Sequence, residues 1–142
     1  MKIKIVNGVD NLGKRLIAIE KVAKNEVICK LKGKLLDKPT WQTLQVGPNK
    51  HLKNRIIDYL NHSCNPNSFV DTEKLVLVAN RTIKQLDDIT INYLLTECEL
   101  ASPFKCMCGS RKCFKEIKGY KFLNSNKRLN IPYLLKLKSK LQ

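Results

Sequence analysis

No stretch of this chain approaches the roughly 18 consecutive apolar residues that a membrane-crossing helix needs. The opening Met1-Lys2-Ile3-Lys4-Ile5-Val6 alternates instead of forming the apolar centre of a secretion signal. A soluble, intracellular protein, cytoplasmic or nuclear, is therefore expected, and nothing separates action in its own cell from delivery to a host. Acidic residues are scarce: 12 Asp and Glu stand against 27 Lys and Arg, for a net charge of +15. None follows Glu116, whereas Lys118, Lys121, Lys127, Arg128, Lys136, Lys138 and Lys140 do. No internal repeat is visible.

What remains is ordinary globular material. The 142 residues suit one domain with a real core and a single site. Apolar (43%) and charged (27%) fractions sit close to globular norms and suggest neither disorder nor a fibrous repeat. The positive charge fits either a well-solvated lysine-rich surface or contact with nucleic acid, which such a surface attracts by releasing counterions. Six cysteines without a secretion signal argue against a disulfide framework and for reduced thiols that bind metal or do chemistry.

Up to about residue 90 the pattern predicts short strands broken by turns. Candidates are Lys2 to Val6, Leu16 to Ile19, Val27 to Leu31, Trp41 to Val46, Leu75 to Ala79 and Ile89 to Tyr93. Asp71-Thr72-Glu73-Lys74 reads as the turn of a hairpin from Phe69-Val70 to Leu75-Val76. Ile56, Ile57 and Leu60 suit one helical turn ahead of the polar run Asn61 to Asn67. After Tyr93, Ser102-Pro103 opens a cysteine-rich loop with little apolar content, the kind of segment that needs a metal to hold a shape. Pro132 is placed to start a final helix with Leu134, Leu137 and Leu141 on one stripe. That helix is read as covering the sheet in preference to lying on a membrane or polyanion.

Cys106, Cys108 and Cys113 form a C-x-C-x4-C pattern, with Gly109 permitting a tight turn, and three close thiolates suit a tetrahedral zinc. The fourth ligand must come from elsewhere: Cys64, Cys98 or Cys29. Lys105, Arg111 and Lys112 flank the cluster and favour its thiolate forms.

Asn61-His62-Ser63-Cys64-Asn65-Pro66-Asn67 is polar enough to be only a turn, but its company is informative. It is followed by Leu75 to Ile83 with Ala79-Asn80-Arg81, then by Asp88-Ile89-Thr90-Ile91-Asn92-Tyr93, then by the cysteines. In that order these segments resemble the motifs of SET-domain protein lysine methyltransferases in a compact form with a post-SET zinc module. Gly13-Lys14-Arg15-Leu16-Ile17-Ala18 resembles the family's cofactor loop, and Trp41 to Leu52 resembles the segment ahead of the signature, so about Gly13 to Leu123 is covered.

The resemblance implies a mainly β fold of several small curved sheets with a pseudoknot, a post-SET zinc module and a short C-terminal helix. Residues 1–98 would be the SET domain, 99–123 the zinc module and 124–142 a basic tail. It implies S-adenosylmethionine and zinc as cofactors and assigns the fourth zinc ligand to Cys64, beside Cys106, Cys108 and Cys113. It gives Tyr93 the catalytic position, with Asn61, His62 and the backbone of Lys14, Arg15 and Leu16 holding the cofactor. The implied reaction is methyl transfer to a lysine of a histone or another basic protein. Alignment of the two reactants carries most of the rate, and a nearby sulfonium and an apolar channel lower the amine pKa, so no dedicated base is required.

The sequence departs from the pattern at several points. Arg15 stands where the family has a second glycine, Leu86 where a glycine precedes Asp87-Asp88, and Asn92 where an aspartate precedes the tyrosine. Leu31 takes the place of a second channel tyrosine, and Ile91 that of an aromatic limiting the number of methyl groups. Two other readings belong to different classes: a SET-like binding module without catalysis, and a zinc-stabilised nucleic-acid-binding protein. A +15 enzyme also repels basic tails within a Debye length of about 8 Å unless the fold hides an acidic groove. A target seated on DNA or RNA would ease that repulsion.

Overall fold

The computed structural model describes residues 1–9 and 13–129. The chain opens with strands β1 (Ile3–Asn7) and β2 (Lys14–Ala18), an antiparallel pair in which Ile3 faces Ala18 and Asn7 faces Lys14. Alternation of lysine with isoleucine and valine in β1 leaves Ile3 buried and Lys4 in water, as a one-sided strand requires. The next strands are β3 (Val27–Lys30), β4 (Lys34–Leu36), β5 (Thr43–Gly47) and β6 (Lys50–Lys53). β4, β6 and β5 form one antiparallel sheet in that order. Gly33 permits its tight packing: a Cβ there would lie 1.9 Å from the Lys53 carbonyl oxygen.

A 3-10 turn at Ile57–Tyr59 leads into β7 (Asn61–His62), and β8 (Ser68–Asp71) and β9 (Val76–Ala79) follow as a hairpin. Asp71 closes that hairpin by accepting the N–H groups of Glu73 and Lys74 at 3.0 Å each, which is why a short acidic side chain sits at the turn. β3 joins the hairpin to give the order β3-β9-β8. β10 (Thr90–Ile91) pairs in parallel with β7, Thr90 against Asn61 and Ile91 against His62. The strand expected from Ile89 to Tyr93 is thus short. The Asn92 side chain accepts the Leu94 N–H at 3.0 Å and caps a 3-10 turn at Tyr93–Leu95, so local capping overrides the β-branched run.

The fully buried side chains Leu16, Leu31, Leu52, Leu60, Leu77, Ile83, Ile89 and Ile91 belong to one aliphatic core between these sheets. A second, smaller cluster gathers Leu94, Ile117, Tyr120 and Leu123 around the cysteines, beside the two-residue strands β11 (Phe104–Lys105) and β12 (Glu116–Ile117). Gly119, at φ +124°, brings this region against the chain at Cys98, whose carbonyl oxygen would sit 2.4 Å from an added Cβ. Tyr93 packs against both clusters. A short helix α1 covers Ser125–Leu129, and the helix expected from Pro132 lies outside the described residues. Among the described residues no helix is long and apolar enough to cross a membrane.

Candidate active site

β7 and β10 are the joint on which the site is built. Asn67 fixes the loop between them and β8: its Nδ2 donates to Asp88 O at 2.7 Å, and its Oδ1 accepts the Thr90 N–H at 3.0 Å. Ser68 Oγ donates to Thr90 O at 2.7 Å, so the polar run is a hydrogen-bonded brace and not a solvent turn. Ser63 extends the joint by donating its N–H to Ile91 O at 2.9 Å.

His62 connects the joint to both neighbouring features. Its Nδ1 accepts the backbone N–H of Tyr93 at 3.0 Å, which assigns the ring proton to Nε2, and Nε2 faces Cys64 Sγ at 3.3 Å. Burial lowers this imidazole to about 4, so the ring is neutral near pH 7. The Tyr93 hydroxyl donates to Leu60 O at 2.7 Å. Burial, helped by the charge of Glu97, raises the phenol to about 12 and keeps it protonated.

Beside Tyr93 opens a cavity of about 390 Å³. Ile57, Leu60 and Ile91 form its apolar buried side, and Trp41 and Phe104 lie at its exposed edge. Phe104 meets the His62 ring edge-on at 5.7 Å and the Tyr93 ring at 5.9 Å between centroids. Asn61, His62, Tyr93 and Glu97 line it too, together with the hydroxyl side chains of Thr40, Thr43 and Ser102. The structure therefore brings Asn61, His62 and Tyr93 together at one concavity, in keeping with a site that binds a small molecule against a reactive group.

The cofactor-loop residues behave differently from one another. The Lys14 carbonyl faces the Asn61 amide at 3.5 Å, whereas Leu16 is buried in the aliphatic core. Arg15 lies in β2 opposite Val6 and pairs with Asp88, so this strand position does not use the conformational freedom of a glycine. Lys14, Arg15 and Leu16 are not among the described residues lining the cavity. Leu86 does occupy a glycine-like conformation, with φ +71° and an exposed side chain. Leu31 is buried in the core away from the cavity lining, and Ile91 is part of that lining.

Cys64, Cys106, Cys108 and Cys113 place their sulfurs within 4.8 Å of one another, with Cys64 3.8 Å from Cys106 and 3.9 Å from Cys113. Zinc–sulfur bonds of about 2.3 Å in a tetrahedron put the sulfurs about 3.8 Å apart, so the four residues fit a zinc ion. Burial pushes the Cys64 thiol up and Cys106 up to about 11. Against its own burial, Cys108 is drawn down to about 6 by the N–H groups of Ser110 and Cys64. Cys29 lies apart from the cluster, and burial raises it to about 11, as suits an inert thiol.

Glu97 is a residue the motifs did not mark, and Gln45 lies in the segment ahead of the signature without a role assigned to it; both are buried. The Gln45 N–H donates to Glu97 Oε1 at 2.8 Å, and Gln45 Oε1 accepts the Cys98 N–H at 2.9 Å. The available signal was an acidic residue amid the apolar neighbours of Tyr93 in a chain poor in acid.

A family model described as SET domain matches residues 13–94, more than half of the chain. The methyltransferase flvH of Aspergillus flavus is 35% identical over 86 residues, covering 58% of this chain and 48% of that protein. A histone-lysine N-methyltransferase of Candida albicans, H3 lysine-36 specific, is 27% identical over 143 residues, covering 83% of this chain and 17% of that protein. The chain thus spans about half the length of one of these relatives and a sixth of the other. KRYPTONITE bound to mCHG DNA and SAH superposes with a TM-score of 0.65 at 18% identity, over 80% of this chain and 28% of that one. The methyltransferase domain of human SETMAR gives 0.61 at 16%, over 82% and 58%. At these identities the structural likeness speaks for the fold.

Proposed function

The chain belongs to the SET-domain family, and from that premise we propose that it transfers methyl groups from S-adenosylmethionine to lysine side chains of a protein substrate. The observation that carries this reading is the Tyr93 hydroxyl, held by Leu60 O at the cavity where Asn61 and His62 also stand. The relatives named as methyltransferases support the same reaction class.

The residues present suit the cofactor. The Asn61 amide at the cavity wall offers a donor to its polar groups, and the protonated phenol offers a hydroxyl to the reacting centre. When bound, a sulfonium cofactor supplies an electrophilic methyl group. Tyr93 orients the target nitrogen, the aliphatic wall excludes water from it, and His62 holds the Tyr93 backbone in register. Zinc on Cys64, Cys106, Cys108 and Cys113 would fasten the segment bearing Phe104 to the cavity's edge, a structural and not a chemical role.

The net charge of +15 supports a basic target already seated on nucleic acid, where the polyanion offsets repulsion. The test is labelled-cofactor transfer to core histones, free and DNA-bound, and to lysate proteins, comparing wild type with Tyr93→Phe. The expected result is a loss of at least about 100-fold in Tyr93→Phe, the scale of a removed transition-state hydrogen bond, and faster labelling of the DNA-bound acceptor. Wild-type labelling of none of these acceptors, or equal labelling by the variant, overturns the reading.

A further inference from the structure

The chain carries 27 lysines and arginines, yet none is among the described residues lining the cavity beside Tyr93. The charged side chain in that lining is Glu97, 5% exposed. It reaches the cavity because its N–H donates to Tyr93 O at 2.8 Å, which continues the turn that begins at the tyrosine. From the neighbouring sheet, the Gln45 N–H holds Oε1. Pinning β5 in this way does not require a charge: a glutamine amide oxygen would accept the same N–H without the desolvation that a buried carboxylate costs. No lysine or arginine forms an ion pair with Glu97 among the described residues. An ionisable acid without a cation, in a cavity that no described lysine or arginine lines, is arranged to receive a cation from outside.

We propose that Glu97 is the cavity's cation-receiving group: its carboxylate meets the ammonium of the lysine entering beside Tyr93 and accepts the proton which that nitrogen must lose before methylation. The inference rests on the methyltransferase reading above, extends it to how a +15 protein admits a basic side chain, and replaces the expectation from sequence that no dedicated base is required. In the step, ammonium and carboxylate become amine and carboxylic acid. The amine lone pair then forms the new N–C bond as the S–C bond of the sulfonium breaks with its electrons on sulfur, leaving a methylammonium and a thioether. Glu97 afterwards returns its proton to water.

The surroundings suit this cycle. Burial pushes Glu97 up to about 7, against the pull of the Gln45 N–H and the Thr96 hydroxyl, so both of its forms are accessible near neutrality. The other titratable groups nearby do not compete. Tyr93 lies near 12 and His62 near 4, His51 opposite Gln45 on β6 is lowered by burial, and Lys121 engages Glu99.

Trp41, the single tryptophan of the chain, lines the cavity and reports on its contents by fluorescence. The full chain is titrated with n-butylammonium, the end of a lysine side chain, and with neutral 1-butanol. Wild type should bind the cation at least tenfold tighter at pH 8, with the advantage fading at pH 5.5, and Glu97→Gln should lose it. Equal binding of the two probes by wild type at pH 8 overturns the proposal. On core histones and lysate proteins, kcat/KM of Glu97→Gln should fall at least about 30-fold at pH 7, and the gap should close towards the lysine pKa of about 10, where solvent removes the proton. Parallel pH profiles for wild type and variant overturn the proton-accepting role. Should Glu97→Gln fail to fold, the wild-type probe comparison decides alone. A wild type that labels no acceptor yet prefers butylammonium would sink the methyltransferase reading while upholding the cation site, so the two failures are distinct.

Discussion

The chain on either side of Tyr93 is held by two different forces. Before it, leucines and isoleucines from β2, β6, β9 and β10 meet in one aliphatic core, with Leu16, Leu52, Leu77 and Ile91 almost wholly out of water. Burial of each such side chain contributes about 1.5–3 kcal/mol, and those sheets stand on that basis. After it, β11 and β12 are two residues long, Met107 is 93% exposed, and the apolar cluster is built around thiols. The second region has little apolar burial of its own, and the zinc ion proposed for its four sulfurs would hold it. The site sits on the seam between them: Tyr93 packs against both clusters, and Phe104 of the second region meets its ring edge-on.

The largest expected effect separates the two forces directly. With zinc on the four sulfurs as proposed, chelation should abolish amide-exchange protection at Leu100 and Cys106, whose N–H groups bond Lys118 O and Lys115 O. Ala79, Ile83 and Ile89 should stay protected in the aliphatic region. Methyl transfer should fall by at least about 100-fold with it, since the structural zinc of small sites is worth about 10–16 kcal/mol. Simultaneous loss of protection in both regions would make them one cooperative unit and break the comparison.

A smaller effect tests the seam itself. Glu97 rises from an ordinary value near 4.5 to about 7 on folding, so between those values the folded chain binds more protons than the unfolded one. Stability must then fall as pH rises through this window, by about 3 kcal/mol at about 1.4 kcal/mol per unit. Glu97→Gln should therefore melt later than wild type at pH 8 and alongside it at pH 4. A variant less stable than wild type at pH 8 would mean that the carboxylate is structurally required where it stands.

The smallest effect is confined to the first region. Leu86 holds a left-handed backbone at φ +71° with its side chain largely in water. Leu86→Gly should relieve about 1 kcal/mol of strain, read as a higher denaturant midpoint with an unchanged slope. A lower midpoint would show that the leucine packs against something in solution.

Part of this was legible early because some instructions are local. Asn61 to Asn67 and Cys106 to Cys113 are contiguous runs whose residue types declare their chemistry, and the hairpin at Asp71 is set by side-chain bonds two and three residues away. Arg15 was harder to read. It stands where the family has a second glycine, but its strand pairing and Asp88, 73 residues distant, make it an ordinary strand position. Asn92, also a departure from the family pattern, caps the Tyr93 turn with its amide oxygen. The strand expected to reach Tyr93 stops early for the same reason.

By itself, then, the sequence determined the signature loop, the three clustered thiols, the tyrosine and the short-strand character of the first ninety residues, since each depends on neighbours in the chain. Only the tertiary structure decided that His62 links the Tyr93 backbone to Cys64, that no lysine or arginine among the described residues lines the cavity, and that Glu97 stands within it. The physical reason is range. The electrostatics of a buried carboxyl are set by groups such as Gln45, 52 residues away along the chain and 2.8 Å away in space, and no periodicity or motif carries that distance.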